Sequence, residues 1–294
     1  MNLLDDYEDK VHFSHTRSGA FTLDFHLHEN CELYFLLSRD LNYFVEKNIY
    51  RVLAGEVIIT NPGELHKLTP ATSSDELYER IWIQFNPHYV AQFNTASYDL
   101  LHCFFSREKG EKNKIPLSQR ESEELRRLFT QYERQISKPS AASTQLKLCG
   151  FIDILIFIND RFEQYKDNTP NLQNHNKLSR ILDYIDHHLT EDLSLTTLER
   201  ELYINRYYLS KLFKSHIGST IHEYVIYKRI ALAKRYLSEG DSVNEAWEKA
   251  GFTDYTSFLK MFKRTVGVLP KNYGEHIETV RRADGANPIH HGHR

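Results

Sequence analysis

The second half of this 294-residue chain repeats itself, and that repeat restricts the fold more than any other feature. Leu209, Lys211, Phe213, Lys214, Gly218 and Tyr224 return 49 residues later as Phe258, Lys260, Phe262, Lys263, Gly267 and Tyr273. Upstream, at an offset of 48, Ser194, Leu198 and Leu202 match Ser242, Ala246 and Ala250. Each copy reads as a short helix, a turn and a longer helix. In the second copy Ser242-Val-Asn-Glu245 has the form of a capping box, Gly251 can supply a left-handed turn, and Thr253 or Asp254 can cap the next helix. In the first copy Ser194 and Asn205 occupy the N-cap places.

The longer helix of each copy divides into two faces. Over Arg206–His216, Leu209, Leu212 and Phe213 form an inward stripe, and Tyr207, Ser210, Lys211 and Lys214 face outward. Over Asp254–Thr265, Phe258, Met261 and Phe262 go inward, and Thr256, Lys260 and Lys263 outward. A face of hydroxyl, aromatic and basic side chains on a short helix-turn-helix suits the DNA major groove. Between the copies, Ile221–Leu237 reads as a helix with Tyr224, Val225, Leu232, Tyr236 and Leu237 inward, a connector able to hold two reading helices about one DNA turn (~34 Å) apart. Charge points the same way. The whole chain carries −3, but residues 177–282 hold 17 Lys/Arg against 14 Asp/Glu, and Arg200–Arg235 holds 8 against 2. Phosphate neutralisation needs such a local excess. The competing reading is a helical bundle with solvated lysines, or an adaptor whose duplicated helices contact protein.

These residues resemble the signature of the AraC/XylS regulators: Leu209-Ser-Lys-Leu-Phe-Lys214, Arg229-Ile230 with Ala233, and Gly251-Phe252 through Phe258-Leu-Lys-Met-Phe-Lys-Arg-Thr-Val-Gly267 to Pro270 and Tyr273. The match covers about Leu193–Tyr273. Carried over by position, the resemblance implies base contacts from Arg206, Tyr207, Ser210 and Lys211, and from Tyr255, Thr256 and Lys260. It assigns phosphate contacts to Lys214, Arg229, Lys263 and Arg264. It also implies a double-stranded operator and RNA polymerase as a partner in activation; a homodimer is expected from the apolar surface of the helices in Glu121–Ile136 and Leu146–Tyr165, with burial of that surface within one subunit as the competing reading. Three positions depart from the family pattern. Glu199 and Trp247 stand where a small Ala is usual, and Tyr203 stands where Gly is usual, at a cost on the order of 1 kcal/mol if left-handed.

The first half reads differently. Phe21–His28 alternates strictly, and Cys31–Ser38, Tyr43–Val52, Glu56–Thr60 and Leu77–Phe85 read as further strands. Tyr78, Arg80, Trp82 and Gln84 share one face of the last. Two helices follow, one carrying Leu125, Leu128, Tyr132 and Ile136, the other, Leu146–Tyr165, apolar on nearly every side. The expected fold is therefore α+β in two domains, a cupin-like β-barrel with flanking helices and an all-α double helix-turn-helix. Their expected limits are 1–166 for the effector-binding and dimerising domain, 167–176 for a linker, 177–276 for the DNA-binding domain and 277–294 for a disordered tail with His290-His-Gly-His293. Three widely spaced cysteines, no basic leader and no long apolar run indicate a cytoplasmic protein with no membrane partner.

His26-x-His28-x3-Glu32 and Pro62-Gly-Glu-Leu-His66 resemble the two motifs of the cupin barrel, in which two His, a Glu and a later His hold a divalent ion. Pro62-Gly63 lacks the intervening residue of the enzyme motif, and no Asn follows His66 at the usual distance. The expectation is thus no metal and no cofactor, with His26, His28, Glu32 and His66 as the set that would take an ion. Trp82 falls where sugar-sensing relatives carry a stacking tryptophan. His26, His28, Glu32, His66, Arg80 and Trp82 are accordingly the expected contacts of a small polar effector, a carbohydrate for instance. No nucleophile–base–acid set or phosphate loop marks an enzyme. The alternative kept open is a metal-dependent cupin enzyme with an appended helical domain.

Overall fold

The computed structural model describes residues 7–18, 24–71, 77–137, 142–165 and 176–274. Phe21–Leu23 of the expected first strand, the linker up to 175 and the histidine-bearing tail lie outside the described residues. The chain forms two compact units whose principal boundary falls between Leu182 and Asp183.

The first unit opens with α1 (Tyr7–Lys10) and β1 (Val11–Ser18), followed by β2 (Cys31–Ser38), β3 (Leu41–Val45), β4 (Asn48–Val52), β5 (Val57–Thr60), β6 (His66–Pro70) and β7 (Tyr78–Phe85). Next come α2 (Pro87–Ala91), α3 (His102–Phe105), β8 (Lys114–Ile115), α4 (Gln119–Ser137) and α5 (Ser143–Tyr165), and then α6 (Asn176–His187), within which the boundary falls. The strands form a five-stranded sheet in the order β1-β7-β2-β5-β8 and a three-stranded sheet in the order β4-β3-β6.

This corrects the closed barrel expected from the cupin-like motifs. Among the described residues each ladder stays within its own sheet, and a lone bridge joins His26 to His66. At four and two residues, β5 and β8 are too short to carry a ladder onward. The single strand expected over Tyr43–Val52 is a hairpin, turning at Glu46-Lys47 with Glu46 at φ 54°. Neither residue is a usual hairpin-turn former, so the turn left no local mark.

The five-stranded sheet is buried on both faces. Leu33, Phe35, Ile81, Ile83 and Phe85 pack with Leu125 and Phe129 of α4 and with Phe151, Ile154 and Ile158 of α5. Tyr34, Leu36 and Tyr78 turn the other way and pack with Tyr43, Val45, Tyr50 and Leu68 of the smaller sheet, with Trp82 against them. A hydrogen-bonded ion pair pins the loop before β8. Arg107 donates to both oxygens of Glu64 at 2.8 and 2.9 Å, and both side chains are fully buried.

The second unit is helical: α7 (Leu195–Leu202), α8 (Arg206–Ile217), α9 (Ile221–Glu239), α10 (Val243–Lys249) and α11 (Tyr255–Val266). The duplication persists in the packing. Phe213 meets Tyr224 with ring centroids 5.5 Å apart, and Phe262 meets Tyr273 at the same 5.5 Å. Ser194 caps α7, Asn205 accepts from the Tyr207 N–H at the start of α8, and the Ser242–Glu245 capping box forms on α10. Of the two cap candidates for α11, Asp254 takes the place, accepting from the N–H groups of Thr256 and Ser257. α9 is buried on a broader stripe than expected, with Ile221, Tyr227, Ile230, Ala233 and Lys234 joining Tyr224, Val225 and Leu237, while Leu232 and Tyr236 are half-buried.

Candidate nucleic-acid interface and ligand pocket

The turn of the first helix pair is left-handed at Tyr203 (φ 55°, ψ 37°), and that side chain is 93% exposed. In the second pair Gly251 takes φ 81°, where a Cβ would stand 2.6 Å from the Thr190 Cα, so only glycine fits. Each turn presents its longer helix with the apolar stripe inward: Leu209 and Phe213 on α8, and Phe258 and Phe262 on α11, are fully buried. The opposite faces are open. Arg206, Tyr207, Lys211 and Lys214 are exposed on α8 and Ser210 half-exposed; Tyr255, Thr256, Lys260, Lys263 and Arg264 are exposed on α11. Lys211, Lys214, Lys260 and Lys263 pair with no acid among the described residues. Such cations need break no ion pair to meet phosphate or a base edge.

Arg229 is placed differently from the other phosphate-contact candidates. Its Nε donates to the Leu189 carbonyl at 2.8 Å and its Nη2 to the Glu191 carbonyl at 2.6 Å. Burial lowers its pKa, and the guanidinium clasps α9 to the loop ahead of α7. Glu199 and Trp247, read only as departures from a pattern, both touch the start of a reading helix. The Glu199 carboxylate accepts from the Arg206 backbone N–H at 3.1 Å, and the Trp247 ring lies 5.5 Å from that of Tyr255.

In the first unit, register decides which residues share the space between the sheets. On β2 and β7, Glu32 pairs with Gln84, Tyr34 with Trp82 and Leu36 with Arg80. Since Tyr34, Leu36 and Tyr78 face the smaller sheet, Glu32, Arg80, Trp82 and Gln84 face it too. Arg80 is held between two rings, 5.3 Å from Tyr34 and 5.4 Å from Tyr78. Glu32 accepts from the Tyr43 hydroxyl at 3.1 Å and from Gln84 Nε2 at 3.3 Å. Neither Tyr43 nor Gln84 was among the expected contacts. Gln84 shares the Arg80–Trp82 alternation, but nothing local announces Tyr43, which comes from the other sheet.

The histidines converge on the same carboxylate. His28 Nε2 lies 3.4 Å from one Glu32 oxygen and His66 Nε2 4.0 Å from the other. His26 is brought alongside by its bridge to His66, with the two rings 5.6 Å apart. Burial pushes His26 below the usual histidine range and His66 down to about 4. Burial by itself would raise the Glu32 carboxyl, but His28, His66 and His26 more than offset it, and the acid lies well below its ordinary range. At neutral pH an ionised Glu32 therefore faces a neutral His66.

The ring tautomers follow from the backbone. His28 Nδ1 sits 3.0 Å from the Asn30 carbonyl and His66 Nδ1 2.9 Å from the Glu64 carbonyl, so Nδ1–H is the donor at each of these contacts. Two Nε2 atoms and a carboxylate thus converge on one space, and His28 Nε2 is buried there without a hydrogen-bond partner. The three ligand atoms lie within 4.8 Å of one another, a donor set that fits a divalent ion with modest closure. It equally fits a ligand rich in hydroxyl donors. A separate groove of about 640 Å³ lies between β1 and α4, lined by Phe13, His15, Thr130, Glu133 and Arg134. None of the expected effector contacts lines it, and it is a shallow surface feature without the buried charges of the Glu32 cluster.

A family model described as an AraC-like ligand binding domain matches residues 17–150, and one described as a helix-turn-helix domain matches residues 198–276. The regulatory protein PocR of Salmonella typhimurium is 34% identical over 34% of this chain and 34% of its own length. The probable transcriptional regulator LumQ of Photobacterium leiognathi is 33% identical over 33% of this chain and 40% of its own. An uncharacterised HTH-type transcriptional regulator of Staphylococcus aureus strain COL is 24% identical over 81% of this chain and 30% of its own length. The chain thus spans well under half the length of these relatives. Among solved structures, ToxT from Vibrio cholerae is 15% identical over 91% of this chain and 98% of that one, with a TM-score of 0.37. The DNA-binding domain of AdpA, solved with a target DNA, is 27% identical over 35% of this chain and 95% of that one, with a TM-score of 0.34.

Proposed function

Since this chain belongs to the AraC family of transcriptional regulators, we propose that it binds a specific duplex operator through α8 and α11 and that a small polar effector in the Glu32 pocket controls the binding. Family membership sets aside the metal-dependent enzyme. The observation that carries the DNA reading is the pair of outward faces, duplicated in register, whose lysines at 211, 214, 260 and 263 pair with no described acid. α9, at 19 residues and about 1.5 Å per residue, is about 28 Å long, comparable with the rise of one DNA turn. On this reading Arg206, Tyr207, Ser210 and Lys211 address the bases of one groove, and Tyr255, Thr256 and Lys260 those of the next. Lys214, Lys263 and Arg264 meet phosphate. Arg229, already clasping two carbonyls, supports α9 more than it serves the backbone of DNA.

The effector is a sugar or related polyol on this reading. Its hydroxyls would donate to Glu32, His28 and His66, and its apolar ring face would lie on Trp82. A divalent ion at His28, Glu32 and His66 would supply a Lewis-acidic anchor for an effector oxygen, with Tyr43 and Gln84 orienting the carboxylate. The regulator acts in the cytoplasm as a homodimer joined through α4 or α5, the second of which leaves Leu146 and Ile156 exposed, and it contacts RNA polymerase at its promoter. An isolated 1–166 fragment that sediments as a monomer at micromolar concentration would contradict that dimer.

The test is to select bound sequences from random duplex DNA, then titrate the selected operator at several salt concentrations with and without a panel of sugars and with divalent ions. A single enriched motif with salt-sensitive affinity, shifted by a sugar in the wild type and not in Trp82→Ala, is the expected result. No enriched motif would overturn the DNA reading. A motif whose affinity responds to ions and to no sugar would overturn the effector class.

A further inference from the structure

The two helix pairs differ at two matched positions that flank the turn. Glu199 and Arg206 face each other across the first turn, and 48 and 49 residues later Trp247 and Tyr255 face each other across the second. One Glu199 oxygen accepts from the Arg206 backbone N–H at 3.1 Å, and the other lies 3.9 Å from Arg206 Nε, within ion-pair range. The guanidinium carbon stands 5.4 Å from the centroid of the Tyr207 ring. The leading side chain of α8 therefore has a carboxylate beside one edge, at the outer limit of ion-pair distance, and an aromatic ring against one flat face, and it remains 48% exposed. At the matched place on α11 the Trp247 and Tyr255 rings meet edge to face, 5.5 Å apart and inclined at 66°. That pair carries no charge.

We propose that Glu199 is a positioning residue for DNA reading. It holds Arg206 so that the terminal Nη donors address a guanine at the outer edge of the first half-site. The Trp247–Tyr255 pair gives the second half-site an apolar contact at the corresponding place, such as a thymine methyl. The inference rests on the reading of α8 and α11 as the DNA-reading helices. Its physical basis is a competition. A free arginine at a helix start gains as much from phosphate as from a base, because phosphate is everywhere and the side chain is long. An arginine already neutralised by a carboxylate gains little from phosphate, since the pair releases few counterions. With Nε turned to Glu199, what remains is the planar Nη fork, and in the major groove that fork matches the two adjacent acceptors of guanine. Arg206 would then add to base discrimination and little to the salt dependence, the reverse of Lys214 and Lys263.

The test compares the full-length wild type with Glu199→Ala, Glu199→Gln, Arg206→Ala and Trp247→Ala, by selection from random duplex DNA and by titration of the selected site against a copy with one base pair changed. The wild type should enrich a guanine at one fixed position of the first half-site and discriminate against its replacement about tenfold or more. Arg206→Ala and Glu199→Ala should each lose that discrimination. Glu199→Ala should bind random DNA as well as the wild type or better, with a steeper salt dependence, because a negative charge has gone and Arg206 is free for phosphate. Glu199→Gln keeps an acceptor for the Arg206 N–H, so a loss of discrimination in that variant separates charge pairing from helix capping. Trp247→Ala should alter the second half-site alone. Unchanged guanine discrimination in both Glu199 variants, or an equal loss on every sequence, would overturn the proposal. A wild type that selects no sequence would overturn the DNA reading beneath it, before any variant is compared.

Discussion

Single residues carry opposite costs at equivalent places in the two helix pairs. Tyr203 holds a left-handed backbone with its side chain in water, whereas Gly251 holds one with no room for a Cβ against Thr190. Tyr203→Gly should raise the unfolding free energy by about 1 kcal/mol, and Gly251→Ala should lower it by more than that, since strain and a backbone clash add. Denaturant unfolding measures both, and a destabilised Tyr203→Gly would show that the tyrosine packs in a way its 93% exposure denies. At the reading faces, Lys211→Ala should cost ~1–3 kcal/mol at the operator and less on random DNA. Lys214→Ala and Lys263→Ala should weaken every sequence alike and flatten the salt dependence. Equal losses on cognate and random DNA for Lys211→Ala would reassign it to the backbone. These residues were legible because their signals are local: a cap, a turn and an outward face need only the neighbouring residues.

Elements that depend on distant partners were less legible. β1, with the sequence VHFSHTRS, has no clean alternation, and its strand character comes from pairing with β7 along its whole length. The hairpin at Glu46-Lys47 lacks a turn signature, and the inward face of β7 is settled by the sheet and helices on either side of it. Likewise the Glu64–Arg107 pair spans 43 residues and has no local signal. Removing one partner by Arg107→Met should cost about 3–5 kcal/mol, because a buried carboxylate loses its countercharge and keeps only the neutral donors of Asn61, Gly110 and Asn113. Between α4 and α5 the anchor is Glu121, which accepts from Arg161 at 2.7 Å and from the Tyr165 hydroxyl at 2.9 Å. Burial opposes ionisation there, but hydrogen bonds from Ser118, Arg161 and Tyr165 hold the carboxyl at about 2. A depressed carboxyl stabilises the fold above its unfolded value near 4.3 and loses that contribution as the pH falls toward 2. Glu121→Gln should remove about 1–2 kcal/mol at neutral pH, after allowance for solvent screening, and flatten the acid limb of stability. An acid limb identical to that of the wild type would assign the loss to other carboxylates.

At the scale of the whole molecule, the proposed regulator combines a polar cluster built on one carboxylate with two outward-facing helices that are copies of one plan with unlike side chains. A ligand shifts such an equilibrium only by binding two arrangements unequally, and a coupling of ~1–3 kcal/mol changes DNA affinity about 5- to 150-fold. Reciprocity requires operator DNA to change effector affinity by the same factor, and calorimetric titration of the effector with and without operator reads it directly. Unequal factors would mean that the two ligands do not share one equilibrium. The duplication made the two-helix reading visible in the sequence, while Tyr43 stayed hidden because the Glu32 cluster is assembled from both sheets and His26. The most direct test of the central claim is a hydroxyl-radical footprint of the full-length protein on its selected operator, repeated with Lys211→Ala and Lys260→Ala. The account predicts protection over two successive major grooves of unlike sequence per chain, with each variant losing base preference in one groove only. Protection of a single groove, or identical losses for the two variants, would contradict it.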